Sequence, residues 1–193
     1  LARQDARLVP VAATGIVVAG TITFVRILVL AVVFEPRLLA PLLWPMGAMA
    51  GAGAAAAMAL LAVAGRSTGA TGSEDLQNPL ELTAALVFGA VLALVILGTH
   101  YLQQWFGADG VYAAAALSGV TDVDAMTISV ARLVGGDLAP QAGATAVVIT
   151  ASVNTVIKGG LSYAAGTPGL ALRVLSAYAL VIGAAVATTL SLW

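Results

Sequence analysis

Long apolar stretches separated by short turns constrain this chain more than any other feature of its sequence. A membrane-crossing helix needs roughly 20 apolar residues, and six stretches of this kind follow one another. They cover approximately residues 8–34, 38–64, 79–103, 111–133, 139–165 and 168–193. Only 9% of the 193 residues are charged, whereas soluble domains carry about 25%, so too few polar residues exist to cover a water-exposed surface.

Helices are the expected way of satisfying the backbone in lipid, because the alternating pattern of a membrane β-barrel is absent. We therefore predict an all-α integral membrane fold with six transmembrane helices, in contact with the lipid bilayer. The net charge of -1 excludes a nucleic-acid partner. The chain has no cysteine, and no nucleophile elbow, phosphate loop or His-Glu metal spacing is found, so an enzyme is not expected.

An internal repeat is visible between the first and fourth stretches. Residues 21–27 (TITFVRI) match residues 127–133 (TISVARL), and a proline opens both the third and the sixth stretch. An odd number of spans per copy turns the second copy over, as in many secondary transporters. We predict one domain over 1–193 with inverted three-helix repeats at about 8–104 and 107–193, and a polar linker at 65–78.

Two aspartates, Asp122 and Asp124, interrupt the fourth apolar stretch. A carboxylate inside a membrane costs several kcal/mol and by default indicates a functional site. Two residues apart, they would point about 200° away from each other on a regular helix, so a shared site requires an interruption near Ser118 and Thr121. Carboxylates, hydroxyls and freed carbonyls would suit magnesium or a proton. Alternatively, one aspartate caps a half-helix and the other pairs with a cation.

Asn154 and Lys158 lie four residues apart, on one face of the fifth stretch. A lysine in mid-membrane must face the bundle interior and find a counter-charge, and Asp122 or Asp124 is the expected partner. A structural salt bridge would explain Lys158 equally well. With Lys158 charged, the site would carry about one negative charge, which favours a proton or monovalent ion over a dehydrated divalent ion. Arg26, near a span end, is expected to reach the interface.

Tight helix packing is predicted at Gly47-x-x-x-Gly51 in the second stretch. We expect this motif to serve packing within the chain before it serves a homodimer, which remains an alternative.

A family resemblance rests on the strings NPLEL (78–82), ALSGVTDVDA (116–125), SVAR (129–132) and NTVIK (154–158). With these, the chain resembles the C-terminal membrane domain of unknown function associated with MgtC/SapB-type proteins. The resemblance implies a multi-pass protein of the bacterial inner membrane, an MgtC-like domain upstream and a link to magnesium homeostasis. It agrees with the missing start methionine, from which we expect the chain to be the downstream part of a longer protein.

The expected function is a membrane cation transporter or channel-like module. Its site would comprise Asp122 and Asp124 as the metal or proton ligands, helped by Thr121, Ser118, Asn154 and Lys158. No resident cofactor is predicted, and magnesium or another cation is expected only as substrate. One alternative is a proton-coupled carrier of a small anion that uses Lys158 as the anion partner. Another is a regulatory or scaffold membrane domain without flux.

Overall fold

The computed structural model describes residues 9–64, 82–136 and 138–192, and these residues form an all-helical fold. The linker predicted at 65–78 and the proline predicted to open the third span lie outside the described residues. The elements are α1 (Val9–Phe34), a 3-10 turn (Pro36–Leu38), α2 (Leu39–Ala64), α3 (Leu82–Gly119), α4 (Val123–Val134), α5 (Pro140–Ala165) and α6 (Pro168–Leu192).

Four helical segments among the described residues are long and apolar enough to cross a membrane. They are Val9–Phe34, Pro36–Val63, Pro140–Ala164 and Pro168–Ser191. Several such helices suggest a multi-pass membrane protein, as the composition predicts. The prediction of six spans is not confirmed.

The tight turn expected at residues 107–110, between the predicted third and fourth spans, is confirmed. The helix before it continues a few residues farther than the expected end near residue 103, to Gly107, where the backbone takes a left-handed φ of 59°. A Cβ at Gly110 would collide with the carbonyl oxygen of Leu102, although residues eight apart on a straight helix are separated by about 12 Å. The chain therefore turns sharply at Gly107, at a φ that glycine adopts without strain.

The predicted fourth span is itself interrupted at residues 120–122, which connect the end of α3 to α4. Val111 and Ala115 from the last part of α3 are buried in the same core as Met126 and Val130 of α4. The same core includes the first half of α5, where Val147 is completely buried. Two short helices therefore occupy the place of one continuous span.

A second, smaller core holds the beginning of α1 against the beginning of α6, through Val17 and Val174. The close contact between α1 and α2 is at Gly53, where a Cβ would collide with the hydroxyl of Thr21. Among the described residues, a Cβ at Gly47 or Gly51 would meet nothing within 4 Å. The packing role expected of these two glycines is therefore not found within the described part of the chain.

The end of α4 is attached to the turn between α1 and α2. Arg37 donates a hydrogen bond to the carbonyl oxygen of Val134 at 2.7 Å, and it forms an ion pair with Glu35 at 2.8 Å. Near its beginning, α4 contacts α1 through Asp124 and Arg26. Residue numbers therefore increase in the same direction along α1 and α4. The inverted repeat is not confirmed, because inverted copies require the matched segments to run in opposite directions.

Candidate functional site

The interruption between α3 and α4 is stabilised by hydrogen bonds to backbone carbonyl groups at the end of α3. The carbonyl of Ser118 accepts hydrogen bonds from the amides of Thr121 at 3.0 Å and Asp122 at 2.8 Å, and also from the Thr121 hydroxyl at 3.2 Å. From α5, the side-chain amide of Asn154 donates to the carbonyl of Gly119 at 3.1 Å. The predicted break near Ser118 and Thr121 is confirmed, and Asn154 is bonded directly to it.

Asp122 is the N-cap of α4. Its backbone is extended, with φ −149° and ψ 127°, and its carboxylate accepts hydrogen bonds from the amides of Asp124 at 3.0 Å and Ala125 at 3.3 Å. Such a cap satisfies backbone donors that have no partner within the helix. Its negative charge also lies at the positive end of the helix dipole. Both carboxylate oxygens of Asp122 are therefore engaged in holding the start of α4.

Asp124 forms an ion pair across the bundle with Arg26 of α1. The guanidinium nitrogen lies 2.8 Å from Oδ2, and 56% of the Arg26 side chain is exposed against 17% of the Asp124 side chain. The other oxygen, Oδ1, is buried and has no hydrogen-bond partner among the described residues. An unpaired buried carboxylate oxygen is costly, so this atom is a place where a proton or a cation could bind.

Lys158 contacts α1 beside this ion pair. Its Nζ donates to the Thr23 hydroxyl at 3.4 Å, and no ion pair of Lys158 with a carboxylate is found in the described part of the chain. Because Thr23 and Arg26 are three residues apart, they share one face of α1. Asp124, one of the two counter-charges expected for Lys158, forms its direct ion pair with Arg26, so a direct ion pair with Lys158 is not found among the described residues.

The site as a whole brings the predicted residues together around the start of α4, but it gives the two aspartates separate partners. When Arg26 is included, the formal charges of the two aspartates and the two basic residues sum to zero. The sequence, in which Arg26 is not assigned to the site, predicts one net negative charge. Among the described residues, no group of three or more histidine, cysteine, aspartate or glutamate side chains could hold a metal ion. The contacts of Asp122 and Asp124 therefore do not favour the expectation that both aspartates bind one metal ion.

Two residues of the site, Arg26 and Thr23, were not predicted as site residues. Arg26 was assigned to the interface, although it lies eight residues before the end of α1, about 12 Å along the helix. The available signal was the rule already applied to Lys158, that an ionisable residue deep in a membrane needs a partner. Applied equally to Arg26, that rule would have indicated an aspartate as its partner.

Comparison with known proteins identifies one relative of this chain. An "Uncharacterized protein" of Aquifex aeolicus (strain VF5) is 31% identical over 105 residues, which are 54% of this chain and 46% of that protein. The chain thus matches less than half of the length of this curated relative. No solved structure matches the chain significantly.

The family profile described as "Domain of unknown function (DUF4010)" matches residues 1–166. No link with MgtC/SapB-type proteins is found in these comparisons. The chain belongs to the DUF4010 family.

Proposed function

We propose that this domain is a proton- or cation-transporting membrane module in which Asp124 is the ion-carrying residue. One observation carries the proposal: Oδ1 of Asp124 is buried without a partner, while Oδ2 is paired with a largely exposed arginine. A purely structural ion pair would be expected to satisfy both oxygens, because partly satisfied buried charges are expensive. A carboxylate that exchanges ligands needs one oxygen available.

The mechanism follows from the difference in exposure between the two partners. A proton that binds Asp124 at Oδ1 removes the charge that holds Arg26. The Arg26 side chain, already more than half exposed, then turns away from the carboxylate. Release of the proton restores the ion pair. Occupancy of Asp124 is thereby coupled to the contact between α1 and α4.

A proton or monovalent cation fits this site better than dehydrated magnesium. Magnesium requires an octahedral set of oxygen ligands and usually takes one or two carboxylates. Asp124 offers one free oxygen, and the oxygens of Asp122 are occupied by backbone amides. Magnesium that keeps most of its water shell needs fewer protein ligands, so magnesium flux is measured as well as proton flux.

The wider setting of the module belongs to the same proposal. We place it in the bacterial inner membrane as a multi-pass protein. The magnesium link that the resemblance implies would come from an MgtC-like domain elsewhere in the whole protein. A homodimer would be formed through the exposed face of α2 that carries Gly47 and Gly51.

Flux into proteoliposomes tests the proposal. The native chain should carry protons at a rate clearly above empty liposomes, and Asp124→Asn should reduce this rate at least about 100-fold, since an amide cannot be protonated in this range. Asp122→Asn is the matched control, because asparagine caps a helix about as well as aspartate, and it should keep most of the flux. Magnesium flux is measured in parallel with the same three proteins.

Two results would contradict the proposal. One is native protein, folded by circular dichroism, that moves neither protons nor magnesium above the background of empty vesicles. The other is undiminished flux in Asp124→Asn. If Asp122→Asn loses flux and Asp124→Asn does not, the ion-carrying residue is Asp122, the N-cap of α4, and not Asp124.

A further inference from the structure

A groove beside the ion pair runs along the second half of α5. It is about 320 Å³ in volume, lies between α1, α5 and α6, and is more open than enclosed. It is lined by Ile16, Lys158, Leu161, Ser162, Gly166 and Leu170. Lys158 and Gly166, the latter at the turn into α6, both line it.

The walls of the groove are apolar apart from two side chains. Lys158 and Ser162 are four residues apart and therefore face the same way from α5. The Ser162 hydroxyl donates to the carbonyl of Gly159 at 2.6 Å, which leaves its oxygen lone pairs without an assigned donor. The groove thus offers one cationic group above an aliphatic surface.

Lys158 forms no direct ion pair with a carboxylate within the described residues. Arg26 is the partner of Asp124, Asp122 is engaged by the start of α4, and Lys158 contacts only a hydroxyl at 3.4 Å. An ammonium group inside a membrane protein is normally paired. An anion in the groove would complete the pairing that the chain leaves open.

We infer that this groove binds a small aliphatic monocarboxylate, with its carboxylate at Lys158 and its hydrocarbon chain against Ile16, Leu161 and Leu170. The charges of the two aspartates, Arg26 and Lys158 cancel formally, so proton uptake by Asp124 leaves one positive charge, which one carboxylate balances and a second would exceed. An aliphatic chain fits the apolar walls, whereas a fully polar anion would lose its hydration against them.

The role of this anion as cargo rests on the proposed transport function, but its binding does not require flux. If the anion is cargo, the proton on Asp124 and the anion at Lys158 cross the membrane together. The two proposals fail separately, because Asp124→Asn should lose proton flux and still bind the carboxylate.

Thermal unfolding of the purified chain in detergent, with butyrate as the probe, tests the inference. Butyrate at about 100 times its dissociation constant should raise Tm by at least about 5 °C. Butyramide, which has the same shape without the charge, should give no shift at the same concentration. Lys158→Met should weaken butyrate binding by about tenfold or more, since a charge-assisted hydrogen bond is lost.

A second variant keeps the test decisive if Lys158→Met does not fold. Leu161→Trp fills the groove from an exposed position and should abolish the butyrate shift while Lys158 stays in place. Equal shifts with butyrate and butyramide, or a butyrate shift that persists in both variants, would overturn the inference. So would native mass spectrometry that finds an anionic phospholipid held through Lys158 and not displaced by butyrate.

Discussion

At the scale of single residues, the two aspartates show how the backbone assigns different tasks to the same side chain. Asp122 has extended φ and ψ values and lies just outside α4, so its carboxylate turns back onto two amides. Asp124 is already inside the first turn, and its side chain reaches across to Arg26. Only Asp124 is left with an oxygen available to a ligand.

Substitution of Asp122 should therefore affect stability mainly through hydrogen bonding, with a smaller contribution from its negative charge at the start of α4. Asp122→Ala removes a helix cap and should lower the free energy of unfolding by about 1 kcal/mol. Asp122→Asn should lower it by much less, because an asparagine side chain accepts the same amide hydrogen bond. Thermal unfolding of the three proteins in one detergent measures the difference. Equal destabilisation by Ala and Asn would indicate that the charge matters, and would contradict the capping role.

At the scale of elements, α4 is a 12-residue helix attached to its surroundings at both ends. Its beginning is capped by Asp122, and its last residue, Val134, accepts a hydrogen bond from Arg37. Arg37 is in turn positioned by Glu35, whose two oxygens accept from the guanidinium at 2.8 and 3.0 Å. A helix this short is marginal in isolation, so these attachments and its buried face keep it in place.

The attachment at Glu35 should make stability depend on pH. The hydrogen bond from Arg37 holds the pKa of Glu35 below its ordinary value of 4.5. A carboxylate whose pKa is lowered on folding contributes stability that is complete above its unfolded pKa, and this is lost as pH falls through the folded pKa. The contribution of Glu35 should thus be constant at neutral pH and decline below about pH 4.5.

Comparison of Tm between pH 7 and pH 3 for the native chain and Glu35→Gln measures this contribution. The native chain should lose more stability than Glu35→Gln over the acidic part of the range. Because Glu35 is near the surface, we expect a small difference in Tm. Parallel curves for the two proteins would show that the ion pair does not contribute to folding.

At the scale of the whole molecule, local hydropathy predicted most of the architecture and missed the contacts between distant segments. The ends of α1, α2, α5 and α6 agree with the predicted stretches within one or two residues, because each is a continuous apolar run bounded by turn residues. The sharp turn at Gly107 follows from the glycines at 107 and 110, but the shared direction of α1 and α4 could not be predicted, since hydropathy does not specify direction. The pairing of Arg26 with Asp124 depends on that direction, so it was missed too.

These contacts leave the two halves of the bundle unequal. The first half of α5 is covered by α3 and α4. Val147 of α5 and Val130 of α4 are both completely buried in this half. The second half of α5 lines the groove that contains Lys158. If water enters this groove, Lys158 should be accessible to a polar reagent, whereas the lipid-facing outer side of α6 should not be.

The absence of cysteine from the chain allows this to be measured with single-cysteine variants and a membrane-impermeant methanethiosulfonate reagent. The cysteine thiolate attacks such reagents, and a thiol ionises to the thiolate readily only in contact with water. Lys158→Cys should therefore react at least about tenfold faster than Leu180→Cys, although 63% of Leu180 is exposed on α6. Val130→Cys, in the buried half, should react as slowly as Leu180→Cys. Fast reaction of Leu180→Cys would show that this face of α6 meets water and not lipid, and slow reaction of Lys158→Cys from both sides of the vesicle would show that the groove is closed to water.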